Sequence, residues 1–265
     1  MLGQIILGII QGVFEWLPIS SEGMIVLAVE NFFNQEQGIE TIIRYALFLH
    51  LGTFLAALIY FRRDVFRLIK ALINYRSASS QVQKTLKFLV ISSLISGILG
   101  FILISFLADL LEDRLRISAK GIILIIGLAL FITGFLQIRA RKTGYKGIKE
   151  LKARDGLLLG LVQGLAVLPG LSRSGLTVSV LLLRKFDDAV SLRLSFLMSL
   201  PIVLAGNIIL NFRDVVFLEK AVWGLLFSFI FGIITIDLLL RVAKKVNFGY
   251  FVLFFAVLVT ISAFI

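Results

Sequence analysis

Pro18-Ile-Ser-Ser-Glu-Gly23 interrupts an otherwise apolar run, Leu2–Val29, and Pro169-Gly-Leu-Ser-Arg-Ser-Gly175 interrupts a second, Gly156–Leu183. Either run would span a bilayer if it were one continuous helix, since a crossing takes about 20 mainly apolar residues. Proline, glycine and serine divide each run near its middle. The halves are roughly 10 to 15 residues, too short to cross, and read as re-entrant half-helices.

The composition agrees. Of 265 residues, 59% are hydrophobic and 16% charged, and the mean hydropathy is +1.01, whereas a soluble domain carries about a quarter charged residues. The net charge of +11 would suit a nucleic-acid partner in a soluble protein, but not at this hydropathy. The absence of cysteine excludes disulfides and thiolate metal sites. A single histidine, His50, excludes multi-histidine metal centres. Met1 to Ile10 carry no basic n-region and read as mature sequence. Six further segments are long and apolar enough to span: Thr41–Phe61, Lys87–Leu107, Ala119–Ile138, Leu192–Leu210, Ala221–Leu240 and Phe248–Ile265.

Placing the basic residues orients these spans. Loop 62–87, loop 139–154, Arg184, Lys185 and Arg193, and Arg241, Lys244 and Lys245 hold 20 of the 27. With six spans and two re-entrant hairpins, all of them fall on one side, the cytoplasm. Six more (Arg44, Arg114, Arg116, Lys120, Arg213 and Lys220) fall in or near outer segments, and residues 1–40 have none. Both termini and the first broken region therefore open outward, and the chain is expected in the plasma membrane. One basic residue is left over, Arg173, inside the second broken region.

The broken regions also match each other. Gly8-Ile-Ile-Gln11-Gly12 aligns with Gly160-Leu-Val-Gln163-Gly164, and at the same spacing Ser20 meets Ser172 and Gly23 meets Gly175. Phe61-Arg62-Arg63-Asp64-Val65 is echoed by Phe212-Arg213-Asp214-Val215. The expected fold is thus an all-α polytopic membrane protein. It has one membrane domain, 1–265, built as an inverted-topology repeat (1–145 and 153–265), each half a re-entrant helical hairpin followed by three spans. Transporters use this arrangement to build polar sites near the midplane.

Broken backbone at membrane depth has no lipid partner, so segments 18–23 and 169–175 are expected to meet around a cavity. Each leads into a half-helix with unpaired amides and the positive end of its dipole there. With the hydroxyls of Ser20, Ser21, Ser172, Ser174 and Thr177 and the guanidinium of Arg173, these ends make a phosphate-shaped anion site. Glu15 and Glu22 place carboxylates at the same cavity, and Gln11, four residues before Glu15, shares its helix face. A carboxylate there can pair with Arg173, or act as a base on water or a serine hydroxyl. His50 reads as a hydrogen-bonded packing residue, Asp237 as a local pair with Arg241, and Glu30, Glu36 and Glu40 as a solvated outer loop. The basic stretches 62–76 and 139–154 orient the chain and face anionic headgroups.

Gln11-Gly-Val-Phe-Glu15-Trp-Leu-Pro-Ile-Ser20-Ser21-Glu22-Gly23 resembles the first signature of the undecaprenyl-diphosphate phosphatases, the bacitracin-resistance type. Pro169-Gly-Leu-Ser172-Arg173-Ser174-Gly-Leu-Thr177 resembles the second, and His50-Leu-Gly-Thr-Phe-Leu-Ala with Tyr60-Phe61-Arg62 looks like the first full span. The resemblance implies hydrolysis of a polyprenyl diphosphate to the monophosphate and inorganic phosphate, at a site opening outward, with a divalent cation (Mg²⁺ or Ca²⁺) commonly assisting. By matching position, Glu15 would be the acid/base residue, Ser21 the nucleophile and Arg173 the group that stabilises charge. Gln11, Ser20, Glu22, Ser172, Ser174 and Thr177 would hold substrate, with Glu15 and Glu22 as possible metal ligands. Two positions depart from the bacterial pattern: Gln11 stands where a second glutamate is usual, and Met24 where the motif ends in Gly-His. Trp16 and Glu22 look more like archaeal members. These departures keep two alternatives open, a lipid-phosphate flippase or anion carrier, and a homologue that only sequesters the lipid.

Overall fold

A computed structural model describes residues 2–32, 39–113, 119–140, 144–168, 170–210, 221–242, 248–262 and 264. Among these the only extended pairing is an isolated bridge between Lys146 and Phe186. The rest is helical or turn: α1 (Leu2–Phe14), α2 (Ser21–Phe32), α3 (Ile39–Tyr60), α4 (Arg62–Ile73), α5 (Ser80–Asp113), α6 (Ala119–Ala140), α7 (Ala153–Leu165), α8 (Arg173–Leu183), α9 (Asp188–Leu210), α10 (Val222–Val242) and α11 (Phe248–Ser262).

Four helices contain a stretch long and apolar enough to cross a membrane: Ser80–Ser105, Ile123–Ala140, Asp188–Ile209 and Val222–Arg241. The segment Arg44–Tyr60 joins Arg62–Ile73 at a bend of 85°, and the pair counts as a fifth. The chain is a multi-pass membrane protein of the all-α class. The bend turns α4 away from α3 and leaves Phe66, Ile69, Leu72 and Ile73 exposed beside Arg62, Arg63, Arg67 and Lys70. Asp64 on α4 pairs with Arg193 on α9 and fixes the base of the bend.

Both apolar runs break where the residue types require. α1 ends at Phe14, and the chain turns through Glu15–Ile19 before α2. α7 ends at Leu165, and the turn after it passes through Gly170, whose φ is +88°. That left-handed backbone favours glycine, and a Cβ at Gly170 would lie 2.6 Å from Ile126 Cα. The helices flanking the two breaks, α1, α2, α7 and α8, have 13, 12, 13 and 11 residues, the lengths expected for the broken runs. Pro169 and the 212–215 echo of the repeat lie outside the described residues, as do Glu36 and the side chains of Glu30 and Glu40.

α1 packs closely against α10. A Cβ on Gly8 would stand 2.3 Å from the Gly224 carbonyl oxygen, so the backbones meet with no side chain between them. α7 packs in the same manner on α5, and α6 on α11. Trp16 ties the first break to the far side of the molecule. Its indole Nε1 donates to the Gly232 carbonyl at 3.1 Å, and its ring lies 4.8 Å from that of Phe196. The first broken segment is thereby held against α9 and α10. In the first turn of α7, Asp155 is buried and accepts two hydrogen bonds from Arg184, at 3.0 and 2.7 Å. Asp237 makes its pair with Arg241 at 2.5 Å.

Candidate active site

The two breaks meet. Ser20 caps α2 by accepting from the Gly23 amide at 3.2 Å, and Ser172 caps α8 by accepting from the Gly175 amide at 3.1 Å. Ser–x–x–Gly at both starts gives each half-helix a side-chain cap with the same geometry. Ser174 then crosses from one break to the other, its hydroxyl 3.0 Å from the Leu17 carbonyl and 3.3 Å from that of Glu15. Gly175 lets the segments close, since a Cβ there would lie 3.1 Å from the Pro18 carbonyl oxygen.

Glu15, buried at 6% exposure, is the centre of the constellation. One carboxylate oxygen, Oε1, is held by the Arg173 guanidinium. The other, Oε2, accepts from Gln11 Nε2 at 2.8 Å and Ser21 Oγ at 2.9 Å. His50 Nε2 lies 3.0 Å from the same oxygen. The Arg173 fork also donates to the Ser195 carbonyl at 3.2 Å. Thr177 completes the support of that turn, its Oγ1 2.8 Å from the Arg173 carbonyl and 2.7 Å from Ser195 Oγ. Glu22 stands at the rim: its side chain is 35% exposed and its Oε1 lies 3.9 Å from His50 Nε2.

The structure therefore joins Gln11, Glu15, Ser21 and Arg173 directly, and gives Ser20, Ser172, Ser174 and Thr177 work in shaping the two breaks. The expectation for His50 needs correcting. It is buried and hydrogen-bonded through Nδ1 to the Ala46 carbonyl at 2.7 Å, as a packing residue would be. Its other nitrogen, however, faces Glu15. Met24 instead packs with the apolar cluster around Ile25, Ile126 and Val252, so the imidazole of this site comes from α3 and not from α2. Ser195, on α9, was also not foreseen. The one signal for His50 was a lone ionisable group inside an apolar span; for Ser195 there was none.

A family model described as bacitracin resistance protein BacA matches residues 4–261. The chain belongs to this family. Among BacA relatives, the protein named undecaprenyl-diphosphatase of Methanococcoides burtonii is 44% identical over 98% of this chain and 97% of its own length. Those so named from Haloarcula marismortui and Methanothrix thermoacetophila are 38% and 37% identical, each over 94% of this chain and 92% of their own.

The donor set of this BacA chain does not fit a divalent cation at Glu15. Such a cation needs free oxygen lone pairs at about 2.0–2.6 Å, and both Glu15 oxygens already accept from protein donors, one of them a guanidinium. The Gln11 amide presents its NH₂ to the carboxylate; the reversed amide would set two acceptors against each other. Among the described residues no group of three carboxylate or imidazole side chains is arranged to hold a metal ion.

Proposed function

We propose that this chain is an integral-membrane phosphatase that converts a polyprenyl diphosphate to the lipid monophosphate and inorganic phosphate. One observation carries the reading. Ser21 and Arg173 meet on the same buried carboxylate, Glu15, with Ser21 Oγ 2.9 Å from Oε2 and the guanidinium on Oε1. A nucleophile, an acceptor for its proton and an anion-binding fork thus share one centre, at the meeting of two capped half-helix starts. The substrate class is that of the relatives' printed name.

In the resting arrangement both oxygens of Glu15 are engaged, one by Arg173 and the other by three further groups. A diphosphate competes for the Arg173 fork, which suits phosphate oxygens in bidentate contact. Moving the guanidinium onto phosphate frees Oε1 and strengthens Glu15 as acceptor of the Ser21 proton. The Ser21 oxygen, or a water in its place, attacks the terminal phosphorus. The bond from that phosphorus to the bridging oxygen breaks, and the lipid monophosphate leaves with the electron pair and takes the proton from Glu15. On the serine route, water then attacks the phosphoserine, its proton passing through Glu15 to the departing serine oxygen. Arg173 and the amides at the starts of α2 and α8 hold the charge that builds on the phosphoryl oxygens.

The same reading takes α3, α5, α6, α9, α10 and α11 as six spans, and α1–α2 and α7–α8 as re-entrant hairpins of an inverted repeat, 1–145 and 153–265. Three features support it: the matching caps Ser20–Gly23 and Ser172–Gly175, the packing of α1 on α10, and that of α7 on α5, each half's first helix lying against the other half. In this alignment Ser21 and Arg173 occupy equivalent positions, so one half supplies the nucleophile and the other the anion clamp. The basic loops face the cytoplasm, and the termini and the site face outward.

The test is incubation of the detergent-purified protein with polyprenyl diphosphate labelled in its terminal phosphate. Label released as inorganic phosphate is the expected result. No release, together with movement of the lipid monophosphate across proteoliposomes, would make the protein a flippase instead.

A further inference from the structure

Both carboxylate oxygens of Glu15 are engaged by groups of this chain, and two of the four partners are cationic or able to be. A carboxylate offers about four lone-pair sites. Gln11, Ser21 and His50 approach Oε2 at 2.8, 2.9 and 3.0 Å, and Arg173 takes Oε1.

The imidazole is oriented for this role. Nδ1 lies 2.7 Å from the Ala46 carbonyl oxygen, which can only accept, so Nδ1 carries a hydrogen. Nε2 then faces a carboxylate oxygen at 3.0 Å, a contact that needs a second hydrogen between the two atoms. Either imidazolium meets carboxylate or imidazole meets carboxylic acid, and both put one more positive charge beside Arg173 than a neutral imidazole facing a carboxylate would. Glu22, 3.9 Å from the same nitrogen, keeps that charge company at the rim. The ionisable groups at the two breaks are therefore Arg173 and the proton-sharing His50–Glu15 pair, with Glu22 at the rim. Gln11 adds a neutral donor where a carboxylate would have added a third negative charge and a reason for a bridging cation.

We propose that Arg173 and His50 take the place of a divalent cation in this chain, and that its diphosphate hydrolysis proceeds without one. The proposal rests on the phosphatase reading and narrows it. Phosphate carries charge that must be countered in the transition state, by metal or by fixed cations. Here Arg173 and His50 flank the Glu15 carboxylate, one on each oxygen, and a metal inserted between them would displace a hydrogen-bonded ion pair and stand next to like charge.

The experiment uses the full chain, purified in detergent and stripped with EDTA, in two measurements. Phosphate release from polyprenyl diphosphate is followed with EDTA present and with Mg²⁺ or Ca²⁺ restored. Separately, Mn²⁺ binding is titrated without substrate by electron paramagnetic resonance. Release that changes by less than about threefold between the two conditions supports the proposal, whereas a metal-dependent enzyme loses its rate on chelation. Loss on chelation that Mg²⁺ or Ca²⁺ restores overturns it and leaves the phosphatase reading standing. A sub-millimolar Mn²⁺ site in the native chain that disappears in Glu15→Gln also overturns it, whatever the activity. No release under any condition removes the phosphatase reading, and this proposal with it. The converse variant is Gln11→Glu, which sets a second carboxylate against Glu15. It is expected to acquire both a Mn²⁺ site and a rate that responds to added cation; a variant that gains neither counts against the proposal.

Discussion

Arg173, in the first turn of α8, is paired with Glu15, which follows the last turn of α1, across 158 positions of sequence. The pair is the point at which the two broken segments are joined chemically. It also decides what each residue can do alone: Glu15 is restrained as a base while Arg173 is on it, and Arg173 is held at the meeting of the two breaks while Glu15 is there. Exchange of the guanidinium from carboxylate to phosphate is then the event that couples substrate binding to activation.

Replacing the fork with a point charge should show this. In Arg173→Lys the ammonium cannot hold Glu15 and the Ser195 carbonyl together, and kcat/KM for phosphate release is expected to fall by about 10²- to 10³-fold. A value within tenfold of the native chain would mean that the geometry of the fork is not used.

The two routes for the attacking oxygen separate at Ser21. If the serine is the nucleophile, acid quenching of the native reaction traps a phosphoprotein, and Ser21→Ala abolishes both that species and turnover. If a water attacks, Ser21→Ala keeps a reduced rate, lower by about 10²-fold for the lost orientation. The expected outcome is the first, because Ser21 Oγ already donates to Glu15 at 2.9 Å.

Much of this site was legible before any coordinates. The breaks at Pro18 and Gly170 follow from residue chemistry; Ser20 and Ser172 read in the sequence as hydroxyls of the anion site, and their capping of two helix starts is visible only in the structure. The lone basic residue inside an apolar region pointed to Arg173. His50 was not legible as part of the site because the contact depends on how α3 packs against α1 and α2. Spacing along one helix says nothing about which residue of another helix faces it. The same holds for Ser195 on α9. The 85° bend between α3 and α4 also went unseen, since loop 62–87 was read for its charge and not for the alternation of Phe66, Ile69 and Leu72 with arginines.

Gly170 tests the structural side. Alanine there would bear a Cβ 2.6 Å from Ile126 Cα, on a backbone with φ +88°. The expected cost is about 1–3 kcal/mol from the strained backbone alone, read as a lowered unfolding temperature in detergent. An unchanged temperature would place the second break elsewhere.

The chain has no cysteine, so single-cysteine variants report topology directly. Ala78→Cys, between α4 and α5, is expected to react with a membrane-impermeant maleimide only after the cells are opened, and Leu2→Cys in intact cells. Labelling of Ala78→Cys in intact cells would reverse the proposed orientation.

The claim that joins all of this is that Glu15 and Arg173 form one catalytic unit acting on a diphosphate. It is tested most directly by measuring terminal phosphate release for the native chain, Glu15→Gln, Arg173→Ala and the double variant under the same conditions. Each single variant is expected to lose at least about 10³-fold in kcat/KM, and the double variant little more than either, because residues acting as a unit are not additive. Single variants that keep native rates, or a double variant whose loss equals the product of the two, would contradict the account.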